Sequence, residues 1–269
     1  MRRANIISYV ILAAGAIIMV FPFVWMLLTS FKPMPEIFDL GLLPKEPTLD
    51  NYRTIFTDYL FGRWFWNSIL VAVITTVSVL FFDSLVGYTL AKYEFPGKNI
   101  IFIMILSTLM VPTEMLIIPW YATASQYGWT NTYWGLLFPG LMTAFGVFFT
   151  RQTFNTVPDE LLDAGRIDGL SEFGLFWRVA LPLIRSTLAA LAILTFLGNW
   201  NAFLWPLIVT QSQRMYTLPV GLALFSGEAG SQWNLITAGA SLAVFPVLIV
   251  FIIFQRQIIE GVASSGVKG

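Results

Sequence analysis

Six stretches of the chain are continuously apolar over about the 20 residues a helix needs to cross a hydrocarbon layer, and short polar segments separate them. The first runs from Ile6 to Ser30, uncharged between Arg3 and Lys32; it is too long for a cleaved leader and is expected to remain as an anchor. The second covers Trp66 to Ala91 and is interrupted only by Asp83. The third, Asn99 to Tyr121, contains Pro112, Glu114 and Pro119, which predict a kink. After a polar turn from Ser125 to Thr132, a fourth follows from Tyr133 to Thr150. A charged segment intervenes before the fifth, Arg185 to Thr210, and the sixth, Leu235 to Phe254. No internal repeat is evident.

Composition agrees with lipid as the main solvent: 57% of the 269 residues are hydrophobic and only 11% are charged, against about 25% in soluble domains. Mean hydropathy is +0.74. The chain has no Cys and no His, which excludes disulfides, thiolate nucleophiles, the usual zinc sites and a Ser-His-Asp triad. Acidic and basic residues balance at 15 each, so bulk charge gives no case for a nucleic-acid partner.

Where the cations sit predicts orientation. With six spans, one side carries Arg2, Arg3, Lys92, Lys98, Arg151, Arg166, Arg178, Arg185, Arg256 and Lys268, and the other Lys32, Lys45, Arg53, Arg63 and Arg214. The first set is expected to be cytoplasmic, with both termini inside. Residues 32–65 then form an extracytoplasmic loop, extended by its prolines and closing with a short helix near Asn51 to Phe56. The turns Gln126 to Thr132 and Gln211 to Trp233 are external as well.

Residues 151–184 form the cytoplasmic segment that breaks the apolar pattern. Its core, "DELLDAGRIDGLSEFGLFWRVALPL", predicts a short helix, a turn and a second short helix. Thr156 is the expected N-cap with Pro158 in the first turn, and Asp159, Glu160 and Asp163 complement the positive helix end. Leu161, Leu162 and Ala164 supply an apolar side. Asp168-Gly169 is a stop signal, with glycine free to turn left-handed, and Ser171 caps the second helix. Small residues at Ala164, Gly165, Gly169 and Gly174 would let a partner approach the backbone. From pattern alone, a docking element and an amphipathic segment resting on lipid headgroups are both open.

The segment resembles the cytoplasmic loop of permease subunits of binding-protein-dependent ABC importers, whose pattern is Glu-Ala-Ala, three positions, Gly and a later Leu-Pro. Here it stands as Asp163-Ala164-Gly165, Arg166-Ile167-Asp168, Gly169 and Leu181-Pro182, with Leu170 where Ala is common. "FWNSIL", "YEFPGK", "NWNAFLWPLIV", "TLPVGL" and the tail "QRQIIEGVASSGVKG" are similar to the carbohydrate branch, the second permease of maltose-type systems. The resemblance implies a type I importer permease fold over residues 1–269, an all-α membrane domain of six spans. It implies coupling to an ATPase through Asp163, Ala164, Gly165, Asp168, Gly169 and Leu170. The implied partners are a second permease, two cytoplasmic ABC ATPases, an extracytoplasmic solute-binding protein and lipid, in a bacterial or archaeal cell membrane. ATP and Mg would sit on the ATPase. The chain itself has no Gly-x-x-x-x-Gly-Lys-Ser/Thr loop to cradle phosphates.

Ionisable groups inside spans are costly and mark function or structure. Glu114, between Pro112 and Pro119, is a candidate for the substrate pathway or for a buried structural hydrogen bond. Asp83, nearer the cytoplasmic end of its span, is expected to reach water or to pair with a neighbouring helix. Sugars are recognised by aromatic faces and amides, which points to Asn199, Asn201 and Trp205 in the fifth span, where a helix is expected to place Asn201 and Trp205 on one face; helix-helix hydrogen bonding and interface anchoring account for the same residues. The expected task is uptake of a sugar or oligosaccharide, with glycerol phosphate, its diesters or a polyol as the alternative. An ion-coupled secondary transporter using Asp83 and Glu114 is the rival class, and an enzyme lacks any visible constellation of catalytic groups.

Overall fold

A computed structural model describes residues 2–227 and 230–266 of the chain, with side chains for residues 8–227, 230–253 and 255. It is mostly helical. Arg2, Arg3, Arg256, Lys268 and most of the tail motif lie outside the residues whose side chains are described. The described chain divides into two compact units. One joins Met1–Phe65 with Leu218–Pro246, and the other joins Trp66–Thr217 with Val247–Gly269.

The first unit begins with α1 (Arg2–Thr29), whose uniform apolarity leaves Tyr9 to Leu27 largely exposed. Such a helix has no polar face, as expected for a lipid-embedded element. Its last carbonyls need partners, and the turn that follows provides them, from Ser30 N to Met26 O, Ser30 Oγ to Leu27 O, Phe31 N to Leu28 O and Lys32 N to Thr29 O. Asn51 holds that turn in place, its Nδ2 donating to Ser30 O at 2.8 Å and to Lys32 O at 2.9 Å. Asn51 opens α2 (Asp50–Thr57), close to the helix predicted there. Between α1 and α2 the loop folds around Lys32, which is buried yet donates to Asp39 O at 2.9 Å and Gly41 O at 2.6 Å. A salt bridge between Lys45 and Asp39 and a bond from Lys45 N to Glu36 tie the outer side of the same loop.

The helix α3 (Phe61–Lys92) starts in this unit. The unit also contains α13 (Leu218–Ala223), the hairpin β1 (Ser226–Gly227) with β2 (Gly230–Ser231), and the start of α14 (Trp233–Gly266). Gly221 lies against the indole of Trp64, where no Cβ would fit, and Phe225 meets Tyr59 edge-on. Thus residues 211–233, expected as a polar external turn, hold a buried apolar helix: Leu218, Val220 and Gly221 point inward.

The second unit is built from α3 onward, followed by α4 (Lys98–Thr108), α5 (Ile117–Gln126), α6 (Tyr133–Leu137) and α7 (Ala144–Phe154). After them come α8 (Asp159–Ile167), α9 (Glu172–Leu175), a π-helical turn Phe176–Ala180, α10 (Leu181–Leu183), α11 (Arg185–Trp200) and α12 (Leu204–Val209). Among the described residues, only α1, α3 and α14 are long and apolar enough to cross a membrane unbroken; the candidates rise to six if each of three bent helix pairs is one span.

Those bends correct the sequence reading. In the third span the axis turns by 92° between Lys98–Thr108 and Thr113–Gln126, far more than a kink. Pro112 lacks an N–H and pushes Val111 out of the helical region, and a 3-10 turn, Thr113–Leu116, intervenes. Pro119 sits in the first turn of α5, where its missing N–H breaks nothing. The fourth span bends by 43° after Pro139-Gly140. The third bent pair, Glu172–Leu183 with Arg185–Trp200, turns by 83° at the start of the predicted fifth span, and that span also stops at Trp200 and restarts at Leu204. A continuous helix would drive the Pro206 ring into the carbonyl of Ala202, and Asn201 turns its amide back to Leu197 O at 2.9 Å. Asn201 and Trp205 therefore do not share one helix face.

Two apolar clusters hold the second unit. Val71, Ala124, Leu136, Leu137 and Val209 pack with Trp129, Phe138 and Trp205. Tyr88, Phe154, Val157, Leu162, Leu175, Phe176, Ala180 and Ile184 form the other, directly under the charged segment.

Candidate functional site

The charged segment folds as a helical hairpin. Thr156 does not cap α8: its hydroxyl donates to Thr153 O, and Pro158, extended at ψ 136°, precedes the first helical residue. Asp159 and Glu160 occupy the first turn, where carboxylates offset the exposed N–H groups. The C-terminus is a Schellman motif. Gly169 has φ +81°, its N–H donates to Arg166 O at 3.0 Å, and Leu170 N donates to Gly165 O at 3.0 Å. Ser171 then caps α9 through Gly174 N at 3.2 Å.

Leu161, Leu162 and Ala164 do not make one side of α8. Leu162 and Gly165 face inward and are buried, whereas Leu161, Ala164 and Ile167 are exposed along the opposite stripe, Ile167 at 86%. Asp163 and Asp168 flank that stripe and are exposed too, as is Gly169, with nothing near where its side chain would project. Gly165 is small for a reason internal to the chain: a Cβ there would press into Leu175 and lie 3.4 Å from Leu170. Ile167 carries no charge or helix signal, so the sequence reading passed over it; its separation from the buried Leu162 on the helical wheel could have found it.

Charged groups brace the hairpin. The Arg166 guanidinium bonds Asp163 at 2.7 Å and grips Glu172 through Nε at 3.1 Å and Nη2 at 3.3 Å. Tyr93, just past α3, donates its hydroxyl to the same Glu172 carboxylate. Arg166, with help from Tyr93, holds the Glu172 carboxyl below its ordinary range. Burial, reinforced by the carboxylate, pushes the Tyr93 phenol up. Lys92 donates to Val157 O and to Asp159 at 2.6 Å, and this ammonium holds the Asp159 carboxyl low.

The remaining sequence candidates fall in separate places. Asp83 is fully buried and accepts from Thr143 N at 3.0 and 3.1 Å and from Thr143 Oγ1 at 2.6 Å. Thr143 is the N-cap of α7, so Asp83 anchors the restart of the bent fourth span. Glu114 lies exposed on the 3-10 turn at the 92° corner. Asn199 donates to Thr195 O at 2.9 Å, its oxygen 3.5 Å from where a Cβ on Gly140 would stand. Trp205 donates to Gly135 O at 3.0 Å and meets Trp120 and Phe138 edge-on. Among the described residues no group of three or more Asp or Glu is arranged to hold a metal ion.

Comparison with known proteins places this architecture. The chain is 42% identical over 259 residues to the arabinooligosaccharides transport system permease protein AraQ of Halalkalibacterium halodurans, covering 94% of this chain and 93% of that one. It is 33% identical to the lactose transport system permease protein LacG of Rhizobium radiobacter, covering 98% and 97% of the two chains. It is 32% identical to the sn-glycerol-3-phosphate transport system permease protein UgpE of Brucella abortus, covering 97% of each. Its fold is that of a chain in the crystal structure of a bacterial ABC transporter involved in the import of the acidic polysaccharide alginate, with a TM-score of 0.83, 22% identity and coverage of 96% and 97%. Residues 83–263, which include both Asp83 and the braced hairpin, match the family described as binding-protein-dependent transport system inner membrane component, and the chain belongs to that family.

Proposed function

We propose that the chain is the transmembrane permease of an ATP-driven importer and forms half of a pathway for an oligosaccharide. The observation that carries the substrate class is the 42% identity, over nearly the full length of both chains, to a permease named for arabinooligosaccharides. In this reading residues 1–269 serve as one transmembrane domain of six spans with both termini cytoplasmic. The bent pairs Lys98–Thr108 with Thr113–Gln126 and Tyr133–Gly140 with Ala144–Phe154 are each counted as one crossing, only the Arg185–Trp200 arm of the third pair is counted as membrane, and the positive charges of Lys92, Lys98, Arg151, Arg166, Arg178 and Arg185 face the cytoplasm. The loop at 32–65 is extracytoplasmic. The membrane is the bacterial or archaeal inner membrane.

The hairpin at 151–184 is the coupling segment. Its exposed stripe, Ala164 and Ile167 between Asp163 and Asp168, with Gly169 at its end and the half-buried Leu170 just beyond, packed against the apolar cluster, docks on a cytoplasmic ATPase that binds ATP and Mg. Gly165 shapes the helix from behind. The chain is not an enzyme; nucleotide acts by favouring one conformation of the assembly over another. The other partners are a second permease, a second ATPase copy, an extracytoplasmic solute-binding protein and lipid. Glu114, Asn199, Asn201 and Trp205 are assigned to the pathway, Trp205 through its ring edge because its indole N–H is already used. The similarity to UgpE supports a second reading, import of a glycerol phosphate.

The experiment is ATP hydrolysis and uptake by the purified assembly in lipid, with its binding protein, across arabinooligosaccharides, lactose and glycerol 3-phosphate. Stimulation by the oligosaccharides alone supports the first reading, and stimulation by glycerol 3-phosphate alone the second. Uptake that persists with no ATPase bound overturns both in favour of an ion-coupled carrier.

A further inference from the structure

Two adjacent residues at the end of α3 reach opposite ends of α8. Lys92 is the last residue of α3, and its side chain is 6% exposed. It spans to the start of α8, bonding Val157 O and the Asp159 carboxylate. Tyr93 bonds Glu172, which lies beyond the C-terminal end of α8. Glu172 in turn holds Arg166 by two bonds, and Arg166 belongs to the last turn of α8. A nine-residue helix is about 13 Å long. It is thus gripped at both ends from a single point on its neighbour.

The same end of α3 is locked to α7. Arg151 Nε donates to Leu90 O at 3.2 Å. Thr150 Oγ1 lies 3.0 Å from Asp83 O, and a Cβ on Gly87 would strike Thr150. Asp83 holds Thr143 at the other end of α7. These bonds tie α8 and α7 to points along α3 from Asp83 to Lys92.

We propose that Lys92 and Tyr93 are positioning residues forming a two-point yoke, through which displacement of α8 by the ATPase is delivered to α3. This rests on the coupling role given to the hairpin above. Lys92 and Tyr93 themselves lie outside the docking stripe. Loss of the yoke should leave the ATPase bound and hydrolysing while the permease no longer follows.

The test uses the complete assembly in lipid and measures three quantities: retention of the ATPase on purification, hydrolysis rate, and substrate imported per ATP hydrolysed. Tyr93→Phe removes one hydroxyl and is the variant least able to disturb folding; Lys92→Met removes the other grip. The expected result is normal retention for both, with import per ATP falling about fivefold or more in the double variant. Lys92→Arg, which can still donate to Val157 and Asp159, should restore import in the Lys92 background. Unchanged import per ATP in the double variant overturns the yoke. So does parallel loss of retention and import in Tyr93→Phe, because the hydroxyl would then support only the docking surface. Failure of the underlying coupling role reads differently: Asp163→Lys with Gly169→Trp would then leave the ATPase bound and import normal, whatever Lys92 and Tyr93 do.

Discussion

Asp83 and Thr143 are joined by both the backbone N–H and the hydroxyl of the threonine, with the shortest of the three contacts at 2.6 Å. The carboxylate stands in for the missing turn ahead of α7 and satisfies a donor that the bend in the fourth span would otherwise orphan. Asp83→Leu strands that donor in a buried site and is expected to cost about 1–3 kcal/mol. Asp83→Asn keeps an acceptor and should cost less. Thermal unfolding of the purified permease in one detergent, with the two variants side by side, checks the ranking; equal losses would show that the carboxylate is not acting as an acceptor for Thr143.

Small residues make that contact possible. A Cβ on Gly146 would land on the Asp83 carboxylate, and one on Gly87 on Thr150. Gly146→Ala and Gly87→Ala are each expected to destabilise by about 1–3 kcal/mol through overpacking. Gly62→Ala, where a Cβ meets nothing, is the control and should be close to neutral. Tm values in the same detergent decide it.

Gly169 separates backbone strain from docking. At φ +81° any L-residue is strained, by about 1–2 kcal/mol. Yet the space beside it is open within the chain. Gly169→Ala and Gly169→Trp should therefore lose similar stability, while only the tryptophan variant should shed the ATPase on purification. Equal retention in both variants would remove Gly169 from the docking surface.

The carboxylates that brace α8 carry a definite pH signature. Asp159 and Glu172 are held below their ordinary values by Lys92 and by Arg166 with Tyr93, respectively. A depressed carboxyl contributes stability that is complete above its unfolded pKa, about 3.9 for Asp and 4.3 for Glu, and that is lost as pH falls through the lower folded value. Hydrogen-exchange protection of Leu162 to Ile167, corrected for intrinsic rates, should hold constant from pH 8 to about 5 and fall only below about 4. Loss of protection near neutrality would contradict these pairings.

Lys32 organises the loop between α1 and α2 from inside. Lys32→Met removes both bonds to the loop carbonyls, charge-assisted contacts worth about 1.5–3 kcal/mol each. Limited proteolysis should then cut between residues 33 and 48 at lower protease concentration than in the parent. An unchanged cleavage threshold would mean that Lys45 with Asp39 and Glu36 suffices.

Local chemistry was legible in the sequence where a single residue decides the conformation. Gly169 and Ser171 marked the end of one helix and the start of the next, because caps and left-handed turns depend on the residue itself. Long apolar runs were legible as α1, α3 and α14. The 92° corner was not, because Pro112 announces a break without saying how far the chain turns. Nor was the inward helix Leu218–Ala223, whose burial depends on Trp64, distant in the chain. The brace on α8 escaped for the same reason: Lys92 and Asp159 are 67 positions apart.

The glycine in Asp163-Ala164-Gly165 is answered in volume by a distant neighbour. Leu175 is fully buried and occupies the room that a methyl group on residue 165 would need. The two positions thus share one volume: an alanine at 165 requires the Leu175 side chain to shift its Cδ2 or to be exchanged for a smaller one, so the size of one residue sets the room left for the other.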